Sequence, residues 1–280
     1  MSAGEEVKDM PGELVHHEDF ESRFIEKRNV DVWLPEEYDA EGERSYSVVY
    51  LHDGQNLFEP SLAFGGVDWG VHESLSLLMG TDQIPNAIAV GIWNTPQRLL
   101  RYMPKRPFEI DQDTSELDLF FERHGAEPAS DRYLDFIVTE LKPFIDETYR
   151  VKQDAASTII MGASLGALVS LYAVCEYPTV FGSAGCLSTS WTVSGDSFVR
   201  YLEKHLPRAG NHRFYFDFGQ EVQIEGYKEL QERANQIAEA KGYRQGEDWV
   251  VREFPDHDHS ERSWRERAAI PLEYLLNAER

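Results

Sequence analysis

Cysteine is scarce in this chain of 280 residues, which holds two, Cys175 and Cys186. Two thiols are too few for a disulfide framework, and both read as reduced core residues. Lysine is scarce as well. Only 8 of the 27 basic residues are lysine, and 50 Asp and Glu bring the formal net charge to −23. Neutralising a phosphate backbone needs a basic surface, so nucleic acid is excluded as a partner. No apolar run approaches the roughly 20 residues of a membrane span, so no membrane is expected. The opening stretch Met1–Lys8 is polar and acidic. It lacks the basic and apolar regions of a secretion signal, which predicts a cytoplasmic protein. Internal repeats, low-complexity tracts and long Pro/Gly/Ser linkers are also missing. The expectation is one domain over residues 1–280, with 1–18 a peripheral or poorly ordered segment.

What is present suits a globular domain. Hydrophobic residues make up 41% of the chain, with 15 Phe and 13 Tyr, which excludes compositional disorder. Two alternating stretches within Glu21–Pro35 predict a hairpin. Residues 46–51, 87–93, 157–161, 181–187, 214–218 and 249–254 read as short strands, several of them continuously apolar, as buried parallel strands are. Helical spacing marks residues 71–79, 131–149 (with Asp131 as its cap), 167–176, 226–240 and 263–277. Residues 95–130 look polar and irregular. Strands alternating with helices predict an α/β fold with a mostly parallel central sheet flanked by helices on both faces.

The sharpest motif is Gly162-Ala163-Ser164-Leu165-Gly166. It follows an apolar strand and opens a helix, the setting that a nucleophile elbow demands. A tight strand-to-helix turn would expose Ser164, with small neighbours letting the backbone pass close. A serine hydroxyl needs a base, and His259 is the best placed of nine histidines, in the loop after the last strand. His257 is its rival. Asp256-His257-Asp258-His259 also permits a metal reading, but no third ligand cluster accompanies it, so no metal is expected. The acid should follow the strand 214–218. Glu221 stands just beyond Gly219, with Glu225 as runner-up and Asp217 still inside the strand.

Acyl transfer also needs donors for a developing oxyanion. The amide of Leu165 is one. Gly54 or Gln55, in the loop after the strand 46–51, offers the second, and His52 and Asp53 read as residues that hold that loop. Trp93 and Trp191 end or follow strands at the carboxyl edge of the sheet, where open α/β sheets bind ligands. They are candidates for an aromatic wall, with core packing the competing reading. Arg98, Arg101 and Tyr102 are candidates for contacts with a substrate.

These pieces, taken in order, carry a resemblance. They are Val48–Phe58 (VVYLHDGQNLF), Val90–Asn94, Arg101–Pro104, Gly162–Gly166, Phe216–Gly219, Phe254–Glu261 (FPDHDHSE) and Pro271–Leu275. Over residues 20–276 the chain resembles the putative-esterase group of α/β hydrolases, which includes enterobactin-type esterases, feruloyl esterases and the esterase D set. The resemblance implies the α/β-hydrolase fold, Ser164 as nucleophile, His259 as base and an oxyanion site after His52. Two departures stand out. Gln220 replaces the threonine usual beside the acid. Gln55-Asn-Leu-Phe58 replaces the cysteine-bearing loop of S-formylglutathione hydrolases, which sets that branch aside.

The expected function is a serine carboxylic ester hydrolase that forms an acyl-enzyme. Its partner would be a small ester: an acyl-sugar, a feruloyl ester or a siderophore-like ester. No cofactor is called for. Two alternatives share the scaffold, an acyltransferase using the same triad and a binding module without catalysis.

Overall fold

A computed structural model of the chain describes residues 10–110 and 115–277. Its eight strands are β1 (Glu13–Phe20), β2 (Arg28–Leu34), β3 (Ser47–His52), β4 (Ala87–Ile92), β5 (Thr158–Ala163), β6 (Ser183–Leu187), β7 (Arg213–Phe218) and β8 (Trp249–Glu253). They form one sheet in the order β1-β2-β4-β3-β5-β6-β7-β8. β2 runs antiparallel to β1 and to β4; every other neighbouring pair is parallel.

Successive strand residues divide between two apolar layers. In β3, Val48 and Tyr50 enter one layer while Val49 and Leu51 enter the other. In β5, Ile160 faces the first layer, and Ile159 and Met161 the second. A strand apolar on both faces must be covered on both, which is why these runs look continuous in the sequence. The second layer is covered by α1 (Val71–Gly80) and by the closing pair α10 (Glu261–Arg267) and α11 (Ala269–Leu276). The first is covered by α2 (Arg98–Tyr102), α3 (Arg106–Glu109), α4 (Ser115–His124), α5 (Ser130–Phe136), α6 (Lys142–Thr148), α7 (Leu165–Glu176), α8 (Trp191–His205) and α9 (Tyr227–Ala240). This is the α/β-hydrolase fold.

Several elements differ from expectation. The partner of β2 is β1, not residues 22–26, and the two chains turn between Phe20 and Arg28. Residues 13–18, expected to be peripheral, therefore belong to the sheet edge, where His16 pairs in register with Asp31. β1 is half exposed and rich in His, Glu and Asp, so its alternation is weak in the sequence. Segment 95–130 carries the short helices α2 and α3 and the longer α4; residues 111–114 lie outside the described ones. Asp131 is not a cap. Ala129 occupies the cap, and Asp131 in the first turn accepts a hydrogen bond from the Tyr172 hydroxyl. A single π turn, Ile137–Leu141, joins α5 to α6. Pro143, just beyond it, has no N–H to continue the regular ladder.

Candidate active site

Three chain reversals at the carboxyl end of the parallel strands build the site. The first lies between β5 and α7. Ser164 sits there at φ 59°, ψ −120°, a conformation that L residues avoid. Surrounding hydrogen bonds hold it: its N–H donates to Leu187 O at 2.9 Å, and its carbonyl accepts from Ser190 N at 3.2 Å. Gly162 is glycine because a Cβ there would lie 2.8 Å from the Gly166 carbonyl carbon. The Ser164 hydroxyl, half buried, is hydrogen-bonded to the Ser190 hydroxyl at 2.9 Å.

The second and third reversals follow β7 and β8, and they are locked together. Gly219 N–H donates to Glu221 Oε2 at 2.6 Å, and Gln220 N–H donates to His257 O at 2.9 Å. A Cβ on Gly219 would lie 2.0 Å from that same His257 oxygen, so only glycine fits. The lock brings the buried Glu221 to His259, with Oε1 2.7 Å from Nδ1. Burial pushes the Glu221 carboxyl up, but hydrogen bonds from His259 and Gly219 outweigh it and hold the group at about 2. An ionised Glu221 on Nδ1 places the ring proton there and leaves Nε2 as an acceptor. The indole of Trp264 meets the His259 ring edge-on at 5.0 Å.

Beneath this pair lies a buried ion pair. Arg267 donates from Nε and Nη2 to the two oxygens of Asp217, both at 3.1 Å. Arg267 Nη2 also donates to Ser188 Oγ at 3.0 Å, as does Trp264 Nε1. Ser188 thus ties the floor of the site to the aromatic ring that backs His259.

Of the oxyanion candidates, Gln55 lines a cavity together with Ser164 and His259. Leu165 opens α7, and the leading amides of a helix lack partners within it. Gly54 and Gln55 open a single 3-10 turn behind Asp53. A Cβ on Gly54 would approach the Gly91 carbonyl carbon to 2.6 Å, so this turn also needs glycine. His52 and Asp53 hold the loop. Burial lowers His52 to about 3 despite the neighbouring Asp53, and its Nδ1 is hydrogen-bonded to the Tyr133 hydroxyl at 2.8 Å. Asp53 accepts two hydrogen bonds of 2.7 Å from Arg98 and one of 2.5 Å from Asn94.

Two cavities flank Ser164 and His259. One, of about 390 Å³, is walled by Gln55, Asn56, Asn94, Arg98, Glu261 and Trp264 among others. The other, of about 490 Å³, has Thr192, Val193, Ile224 and Tyr227 in its wall. Among the pocket candidates only Arg98 reaches either cavity. Trp93 donates its indole N–H to Asp31 on the neighbouring β2 at 2.6 Å. Trp191 is core: it bonds Gln231 at 2.9 Å and stacks on Phe216. Arg101 turns to Glu26, and Tyr102 is fully buried beside His52, its hydroxyl accepting from Asp53 N at 3.2 Å. These four, expected as a substrate wall, are instead taken up by protein partners and line neither cavity.

The rivals separate in the same way. His257 turns to Arg267, whose Nη1 lies 3.1 Å from its Nδ1, and so parts from His259. Among the described residues no group of three or more His, Cys, Asp or Glu is placed to hold a metal ion. Glu225 is exposed, and Asp217 is spent on Arg267. Asn56, Asn94, Glu261 and Trp264 were missed as cavity residues; the proximity of Glu261 and Trp264 to His259 in the chain was the available clue.

The sequence model of the family described as Putative esterase matches residues 22–269. The uncharacterized protein YbbA of Bacillus subtilis (strain 168) is 26% identical over 212 residues, covering 76% of this chain and 73% of YbbA. A ferulic acid esterase superposes with a TM-score of 0.67 at 18% identity, covering 95% of this chain and 98% of its own. The enterobactin esterase FES from Shigella flexneri, in the presence of enterobactin, gives 0.68 at 19%, with 95% of this chain and 59% of FES covered. An IroE-like serine hydrolase from Shewanella oneidensis gives 0.64 at 23%, with 92% and 79% covered. At these identities the structural likeness is one of fold.

Proposed function

The chain belongs to the Putative esterase family, which makes it an esterase, and from that premise we propose a serine carboxylic ester hydrolase with Ser164, His259 and Glu221 as its triad. The observation that most supports this reading is the 2.7 Å contact between Glu221 and His259 beside the strained turn at Ser164. The Ser164 hydroxyl rotates off Ser190 and gives its proton to His259 Nε2 as Oγ bonds to the ester carbonyl carbon. Positioned proton transfer of this kind contributes about 10²–10⁴-fold. The amides of Leu165 and of Gly54 or Gln55 receive the oxyanion, each donor worth about 10²–10³ in kcat. The C–O bond of the leaving group breaks, and the alcohol departs with the proton from His259. Water then attacks the acyl-enzyme, His259 takes its proton, and the acid leaves as Ser164 is reprotonated. Glu221 stays ionised and stabilises the imidazolium. The substrate is a small ester, and no metal or cofactor takes part.

A fluorophosphonate probe tests the nucleophile. Stoichiometric labelling, mapped by mass spectrometry to the peptide containing Ser164 and absent in Ser164→Ala, is the expected result. Labelling retained by the variant, or none in the wild type, overturns the assignment.

A further inference from the structure

The two cavities beside Ser164 differ in chemistry, and the smaller holds polar groups that nothing in the protein satisfies. Trp69 is 1% exposed and in its wall, yet its Nε1 has no hydrogen-bond partner. A buried donor left unpaired costs stability. Arg98 spends Nε and Nη2 on Asp53, and its Nη1 has no partner among the described residues. Glu261 Oε1 accepts a long hydrogen bond of 3.3 Å from Asn56 Nδ2. At the rim, Phe64 is 77% exposed, with its backbone N–H pinned at 3.0 Å by Asn56 Oδ1.

Arg98 and Glu261 thus offer a donor and an acceptor to one small space. An anionic group there would meet Glu261; a cationic one would meet Arg98. Asp53 and Glu261 against Arg98 leave the wall with one net negative charge, and the whole chain carries −23. A hydroxyl both accepts and donates, so it suits Arg98 and Glu261 together. An exposed aromatic ring at the rim offers a face for the C–H groups of a ring that is hydroxylated elsewhere. Burial chiefly raises the Glu261 carboxyl above the usual range, against a hydrogen bond from its own backbone and with the Asp53 charge adding to the rise. The larger cavity, with Val193, Ile224 and Tyr227, suits an apolar acyl chain.

We propose that this cavity is a subsite for a neutral, hydroxyl-bearing alcohol such as a sugar or polyol, with Glu261 and Phe64 reading it, so that the substrates are acylated neutral sugars. The inference rests on the triad reading above and deepens it. Glu261 admits hydroxyls and repels carboxylates; Phe64 supports the ring.

The test compares an O-acetylated methyl glucoside with the matching O-acetylated methyl glucuronate, which adds one carboxylate, and with p-nitrophenyl acetate. The wild type should favour the glucoside over the glucuronate by at least about tenfold in kcat/KM, the equivalent of 1.4 kcal/mol. Glu261→Gln removes the charge at constant shape and should shrink that preference severalfold. Phe64→Ala, at an exposed position that cannot unfold the chain by opening a core, should raise KM for the glucoside more than for p-nitrophenyl acetate. Equal rates on glucoside and glucuronate, no turnover of the glucoside beside good turnover of p-nitrophenyl acetate, or the same loss on all three esters in both variants overturns the subsite. Ser164→Ala separates the two levels. If it abolishes turnover of p-nitrophenyl acetate while the sugar preference is absent, only the subsite fails; if turnover survives in it, the triad reading fails.

Discussion

The Nδ1 of His259 lies 2.7 Å from Oε1 of Glu221, a contact that closes 38 residues of chain and clamps the turn after β7 to the loop after β8. Its role in the proposed chemistry is to hold one tautomer of the ring. Glu221→Gln keeps the shape but presents an amide where an anion stood. A fall in kcat of about 10³–10⁴ with KM little changed is the expected outcome in steady-state kinetics. A loss under tenfold would remove Glu221 from the triad.

The same contact makes a prediction about stability. Glu221 sits at about 2 when folded, below the ordinary glutamate value of 4.5. A carboxylate whose folded value is depressed lends stability that is complete above the unfolded value and is lost as pH falls towards the folded one. The difference in melting temperature between the wild type and Glu221→Gln should therefore be constant from about pH 6 to 8 and shrink between 4.5 and about 2. A difference that grows on acidification would contradict the assignment.

Arg267 and Asp217 form the buried pair beneath the site, with Arg267 1% exposed. Arg267→Met leaves the Asp217 carboxylate buried without its cation. Urea unfolding should show a loss of about 3–5 kcal/mol, the cost of stranding a buried charge. Less than about 1 kcal/mol would mean that the pair is not closed to water.

Gly219→Ala drives a Cβ to 2.0 Å from His257 O, so the loop that carries His259 must move. A displacement of about 1 Å costs roughly 10²-fold in rate, which ester turnover should show in the folded variant. Gly80→Ala, at the end of α1 where nothing lies within 4 Å of the added Cβ, is the comparison and should leave turnover nearly intact.

Much of this architecture was legible in the sequence, and the failures share physical causes. β3, β4 and β5 were visible because burial on both faces makes a strand continuously apolar. The turn at Ser164 was visible because close backbone passage demands small residues on either side. β1 was hidden: an edge strand half in solvent, carrying His16, His17, Glu18 and Asp19, has no clean alternation. α8 was hidden as well, since Gly195 inside it takes φ 54°, ψ −143° and breaks the period. The cavity walls were the least legible. Asn56, Asn94 and Glu261 come from three distant parts of the chain, a 3-10 turn, a loop and the start of α10, and no spacing rule joins them. Trp93 and Trp191 mimicked a substrate wall by position along the strands, but each indole N–H is spent on a protein partner, Asp31 and Gln231.

Turnover of p-nitrophenyl acetate and p-nitrophenyl butyrate by the wild type and by Ser164→Ala, measured side by side, tests the central claim most directly. The account predicts saturable hydrolysis by the wild type and a fall of several orders of magnitude in the variant. Comparable turnover by both proteins would contradict it.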